Sequence, residues 1–161
     1  MPFDAALELQ RTHVQPEWLD YNGHMNVGYY VVAFDQAFDL FMDRIGIDAA
    51  YRESSGGTIF SVEAHVTYLQ ELLPDAPLVV TLQLLGWDSK KLNIFLRMYH
   101  AEEGFLAATL EWMSLHVDLE TRRAAPMAPE VAARVEAVWQ AHKDLPRPPQ
   151  AGRGISLNPP K

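Results

Sequence analysis

With 161 residues, 48% of them apolar and 11% aromatic, the chain has the length and composition of one globular domain with its own core. It contains no cysteine, which excludes disulfides, thiolate metal ligands and a cysteine nucleophile and fits a reducing compartment. The net charge of -8 argues against nucleic acid, which needs a basic face, but leaves room for a phosphorylated ligand held by a few local cations. Met1-Pro2-Phe3-Asp4 lacks the basic-then-apolar layout of a signal peptide. No apolar run approaches the roughly 20 residues that span a bilayer. The expectation is a soluble cytoplasmic protein with no membrane partner.

In chain order, residues 7 to 15 alternate loosely and predict a first strand that Pro16 ends. A loop from Glu17 to Met25 follows. Tyr30, Ala33, Phe34, Ala37, Phe38, Phe41 and Ile45 then recur at steps of three and four, the one-sided apolar pattern of a long, packed helix. Asn26 is its expected N-cap and Gly46 its stop. Asp48 to Glu53 predict one more helical turn, and Ser54-Ser55-Gly56-Gly57 a break.

From Thr58 the period becomes two, with Ser61, Glu63, His65 and Thr67 on one face of a strand and Val62, Ala64, Val66 and Tyr68 on the other. Leu72 to Pro77 read as a turn, and Leu78 to Trp87 as a strand. Asp88-Ser89-Lys90-Lys91 is a hairpin turn into Leu92 to His100, and a long strand from Phe105 to Val117 follows. Connections this short predict an antiparallel meander. Pro129 opens a second helix to about His142, with Val131, Val135 and Val138 on one side. Residues 144–161 hold five prolines and predict a tail, extended or disordered unless a partner fixes it, which leaves 1–143 as the domain. A lone apolar helix among antiparallel strands implies an α+β protein in which a curved sheet wraps the helix. Its sheet edges invite a second copy.

The densest chemistry lies in Asp20-Tyr21-Asn22-Gly23-His24-Met25-Asn26, too polar for a core and too rich for an ordinary turn. It feeds the start of the long helix, where unpaired backbone N–H groups can hold an anion or a developing oxyanion. His24 has the one side-chain type that titrates near neutrality, and Gly23 suits a backbone angle that other residues resist. His13, His24, His65 and His116 with Asp20 and Glu63 are the raw material of a metal site, but without the spacing of any metal motif. No metal or cofactor is expected.

Asp20-x-x-Gly23-His24-Met25-Asn26 followed by Tyr30 and Phe34, then Phe60-Ser61-Val62-Glu63-Ala64-His65-Val66-Thr67-Tyr68-Leu69 and Leu115-His116-Val117-Asp118, resembles the hotdog-fold acyl-CoA thioesterases of the 4-hydroxybenzoyl-CoA thioesterase type. The likeness spans roughly residues 8 to 140. Within that family, Glu17-Trp18-Leu19-Asp20-Tyr21-Asn22-Gly23-His24-Met25-Asn26 is similar to the thioesterases of carnitine breakdown that act on betainyl-CoA.

The resemblance implies a hotdog fold and hydrolysis of a small acyl-CoA to the free acid and CoA. A non-catalytic acyl-CoA binder and a hotdog dehydratase are the alternatives. It also implies a homodimer or homotetramer with sites at the subunit interface. Asp20 takes the place of the family's catalytic aspartate, as nucleophile or as base for a water; the bland reading is a loop aspartate capping a turn. The amides of Val27 and Gly28 would form the oxyanion hole, with Gly28 admitting the ligand close to the backbone, unless it serves only helix packing. Asn22, His24 and Glu63 would assist, Glu63 from a partner subunit with His65 beside it on the same strand face. Trp18 and Tyr21 would offer rings to a quaternary ammonium. Asn26 is a substrate-side residue whose commoner role is the helix cap. Arg122 and Arg123 would meet the CoA phosphates.

Overall fold

The computed structural model describes residues 6–159. Strand β1 spans Leu7–His13, helix α1 Val27–Ile45, helix α2 Ala49–Ser55 and strand β2 Gly57–Tyr68. Then come β3 (Pro77–Trp87), β4 (Lys91–His100), β5 (Leu106–Asp118), the two-residue β6 (Arg123–Ala124) and α3 (Pro129–His142). The expected first strand is two residues shorter than its pattern, because Pro16 begins a single 3-10 turn over Pro16–Trp18.

Helix α1 forms where its apolar spacing demands and stops where its caps dictate. Asn26 accepts the Gly28 N–H at 2.9 Å, and Gly46 turns the chain at φ 87°, a left-handed angle that a side chain would resist. Ala33, Phe34, Ala37, Phe41 and Ile45 are fully buried. Each of the three large ones contributes about 1.5–3 kcal/mol by leaving water.

All contacts between strands are antiparallel, in the order β1-β3-β4-β5-β2 with β6 beyond part of β5. The meander β3-β4-β5 is as expected. The concave face carries Val80, Leu82 and Leu84 of β3, Ile94, Leu96 and Met98 of β4, and Ala108, Leu110 and Trp112 of β5, all in one core with α1. Trp112 reaches Phe38 with ring centroids 5.3 Å apart. Thus a curled antiparallel sheet wraps a long helix, the architecture the resemblance implied.

The convex face is also covered. Gln83, Phe95, Glu111 and His65 form one row across four strands, and the chain after α3 crosses it. The Gln83 side-chain amide donates to the Pro146 carbonyl at 3.2 Å, and the Gly152 N–H donates to Glu111 Oε2. Phe95 on that face is 0% exposed. Residues 144–159 hold no strand or long helix, and these two bonds join their first part to the chain's own sheet.

His116 belongs to the frame. Its Nδ1 faces the Ala125 carbonyl at 2.7 Å; a carbonyl only accepts, so the ring's proton lies there. Its Nε2, 2.9 Å from the Tyr51 hydroxyl, therefore accepts, while the same hydroxyl oxygen takes the Ala128 N–H at 3.2 Å. Gly57 lets the pair close: a Cβ there would lie 2.7 Å from His116 Nε2 and 2.9 Å from a Tyr51 ring carbon. Tyr51→Phe leaves a buried acceptor and a backbone donor unpaired, so it should cost about 1–3 kcal/mol. A lower urea midpoint at unchanged slope is the expected result.

Candidate active site

The loop before α1 is a closed hairpin. Leu19 bridges Met25, the Asp20 N–H donates to the His24 carbonyl at 3.1 Å, and the Gly23 N–H donates to the Asp20 carbonyl at 3.0 Å. Gly23 turns at φ 77°. One carboxylate oxygen of Asp20 accepts the Asn22 N–H at 2.8 Å, so the turn-capping reading of Asp20 holds for that oxygen. Asp20 is half-buried, and its second oxygen has no hydrogen-bond partner among the described residues.

At the helix start the N–H groups divide sharply. Gly28 gives its N–H to Asn26 Oδ1 and Tyr29 gives its own to the Asn26 carbonyl at 3.0 Å. Val27 has no acceptor among the described residues. Of the two amides expected to be open at this end, that of Gly28 is occupied by the cap, which leaves the Val27 N–H. A Cβ on Gly28 would lie 3.3 Å from Asn26 Oδ1, so this glycine serves the tightness of the cap. Asn26 is a cap with its side chain committed to that bond.

The free Val27 amide adjoins an open pocket of about 200 Å³ lined by His24, Met25, Val27, Tyr30, Tyr68, Leu69, Gln70 and Glu71. Two hydrogen bonds join its walls: Met25 N–H to the Leu72 carbonyl at 2.9 Å, and Leu72 N–H to the Tyr30 hydroxyl at 3.2 Å. The Tyr68 hydroxyl donates to the Val27 carbonyl at 3.1 Å. His24 Nδ1 lies 3.1 Å from the Met25 carbonyl, which places a proton on Nδ1 and turns Nε2 into the acceptor. Burial pushes the Tyr30 hydroxyl above its usual range. The Leu72 N–H opposes this, and the charges of Glu71 and Asp20 reinforce it. Tyr30 thus stays a neutral phenol at working pH, and Asp20 stands near enough for its charge to act there.

Other expected residues lie elsewhere. Trp18 is 6% exposed and stacks on Tyr29 at 6.1 Å between centroids, so its face is not available to a ligand. Tyr21 projects from the hairpin tip at 97% exposure, and Asn22 is exposed beside it. Glu63 and His65 sit on the convex sheet face with Asn93, Glu111, Met113 and the chain around Gly152–Gly154. The sheet separates them from the Asp20 hairpin of the same chain. Arg122 lies over the Phe60 ring at 5.0 Å and Arg123 pairs Asp118 in β6, both at the opposite end of β2 from Tyr68. Among the described residues no three His, Asp or Glu side chains converge as metal ligands.

A family model described as the thioesterase-like superfamily matches residues 14–135. The chain belongs to that superfamily. It is 43% identical over 154 residues to a betainyl-CoA thioesterase of Pseudomonas aeruginosa, covering 96% of this chain and 97% of that protein. It is 38% identical to an L-carnitine dehydrogenase/betainyl-CoA thioesterase of Rhizobium meliloti, across 94% of this chain and 30% of that longer one.

Among solved structures, SAV2348 of Staphylococcus aureus in complex with CoA superposes with a TM-score of 0.89 at 28% identity, over 95% of this chain and 97% of that one. A putative thioesterase of Pseudomonas putida superposes with a TM-score of 0.84 at 37% identity, over the same shares of the two chains. The fold is the hotdog fold, and the superfamily member described here is a thioester hydrolase acting on acyl-CoA.

Tyr30, Tyr68 and Glu71 are among the pocket residues that sequence reasoning passed over as site residues, with Met25, Leu69 and Gln70. Tyr30 read as part of the helix's apolar stripe and Tyr68 as the end of a strand face. Glu71 carried no signal, because long-range bonds such as Met25 to Leu72 and Tyr68 to Val27 bring its segment to the start of α1. The division of amides at the helix start predicts a clean contrast. Asn26→Ala should cost about 1 kcal/mol, whereas Asn26→Asp retains an acceptor and most of that stability, as read by thermal melts of the two variants.

Proposed function

We propose that this thioesterase hydrolyses betainyl-CoA, or a CoA ester of a similarly short acid, in the cytoplasm, with Asp20 as the reacting carboxylate. The observation that carries the reading is the Val27 N–H at the start of α1, without an acceptor among the described residues and opening on a pocket, at the end of a short hairpin whose Asp20 carboxylate has one oxygen outside its turn bond. The names of the relatives supply the acyl group.

The thioester carbonyl oxygen would accept the Val27 N–H, where the positive end of α1 favours the charge that builds on it. The free oxygen of Asp20 then attacks the carbonyl carbon, or takes a proton from a water that does so. In the first route the C–S bond breaks to give a mixed anhydride, which water cleaves to the acid and restores Asp20. In the second, the water oxygen enters the product directly. In both, CoA leaves as the thiolate and takes up a proton. His24 Nε2, an acceptor on the pocket wall, is suited to orient the water. The Asn22 amide holds the other oxygen of Asp20 in place.

We further propose that two copies complete each site. β2 ends the sheet, and Ser61, Val62, Glu63 and Ala64 are exposed along it, an edge that invites pairing. A two-fold axis there would run one β2 antiparallel to the other. The Phe60–Arg122 end of one copy would then lie alongside the Tyr68 end of the second, bringing Arg122 and Arg123 toward CoA phosphates.

Asp20→Asn should lower turnover of betainyl-CoA by about a hundredfold or more with CoA binding retained; free-thiol release measures it. Equal activity in the variant would move the chemistry off Asp20. A charge on the pairing edge, Val62→Lys, should yield monomers by sedimentation with little remaining turnover. Full activity in verified monomers contradicts the shared site.

A further inference from the structure

We propose that the pocket beside Val27 is a subsite for a quaternary ammonium group on the acyl chain, and that Glu71 is the residue that selects it. This rests on the proposed thioesterase reaction at Asp20. It assigns the acyl end to side chains that are neither of the rings first suggested by the sequence, since Trp18 is buried against Tyr29 and Tyr21 stands at the tip of the loop.

Charge, shape and placement agree. The lining residues include one carboxylate, Glu71, and no lysine or arginine. Tyr68, 49% exposed, meets the buried Tyr30 nearly edge to face, with centroids 5.3 Å apart and planes at 81°, so the Tyr68 ring is the aromatic one that borders the open space. A ring face attracts a cation, and the exposed apolar side chains of Val27 and Leu69 suit the methyl groups around a quaternary nitrogen. Tyr30 senses both Glu71 and Asp20 as negative neighbours. Glu71 puts a negative charge on the pocket wall itself, unfavourable to an anionic acyl group and favourable to a cation.

Two hydrogen bonds tie the Glu71 segment to the hairpin and to α1: the Met25 N–H donates to the Leu72 carbonyl, and the Leu72 N–H donates to the Tyr30 hydroxyl. Val27 both supplies the oxyanion donor and lines the pocket. An acyl carbonyl bound at its N–H therefore starts at the pocket wall, and a nitrogen two bonds further along lies inside. Glu71 is exposed at the mouth, so its influence is a screened charge at short range, sufficient for selectivity without closing the site.

The test compares betainyl-CoA with its neutral isostere 3,3-dimethylbutanoyl-CoA, in which carbon replaces the charged nitrogen. The readout is the ratio of their kcat/KM values, with folding of each variant checked by thermal melt. The parent should prefer the cation. Glu71→Gln should lower the ratio about fivefold to tenfold, and Glu71→Lys should lower it further. Glu102→Gln, the same charge change on a nearby exposed turn, should leave the ratio unchanged. Added salt should narrow the parent's preference and leave that of Glu71→Gln nearly flat.

A parent that cleaves the neutral ester better overturns the cation subsite while leaving the thioesterase reading intact. A preference that survives both Glu71 variants overturns the assignment to Glu71. A parent that cleaves neither ester overturns the subsite together with the proposed substrate.

Discussion

Burial of one face of α1 in the concave sheet is the constraint on which the rest depends. The helix can lie in the sheet in one rotational setting, because Phe34, Phe41 and Ile45 must all leave water together. That setting also fixes the direction of the first helical turn. The Asn26 cap takes the Gly28 amide and the Asn26 carbonyl takes that of Tyr29, so the position of the one unspent donor, on Val27, follows from core packing. The place of that open amide is thus set by apolar residues about two to five turns further along the helix.

The pocket is made by bringing together segments more than forty residues apart. One is the hairpin that ends at Met25, the other the exit of β2 from Tyr68 to Leu72. Their joint is held by hydrogen bonds to the backbone of Leu72, one at its carbonyl and one at its N–H. Backbone bonds make the arrangement insensitive to the side chains at 70 and 71. Those positions are free to carry whatever charge the substrate calls for, and here one of them carries an acid.

Much of the architecture was legible in the sequence because its signals are local. The helix declared itself by period, its ends by Asn26 and Gly46, and the meander by alternation and short turns. The polar run from Asp20 to Asn26 was visible for the same reason. What stayed hidden depends on contacts across the fold. Alternation put Glu63 and His65 on one face of β2, but which face is convex follows from the pairing of β2 with β5. Trp18 looked like a ring offered to a ligand, because nothing local announces its stack on Tyr29. Gly28 looked like an opening for a ligand, whereas its missing side chain accommodates the oxygen of its own cap. The final segment seemed free because its prolines and glycines bar regular structure. Prolines do not prevent docking, and Pro146 and Gly152 take their partners from the sheet.

The two faces of the sheet therefore have different fates. The concave one is filled by α1 and the convex one is crossed by the chain after α3, so neither offers a broad apolar face to a second molecule. Six of the eleven large apolar side chains exposed among the described residues lie near the start of α1 or along β2 and its exit: Val27, Val31 and Val32, and Val62, Tyr68 and Leu69. Val27, Tyr68 and Leu69 also line the pocket. The β2 edge proposed to pair is thus continuous with the pocket wall. Closing that edge in the proposed dimer would also shut water out of the pocket, strengthening every charge interaction in it.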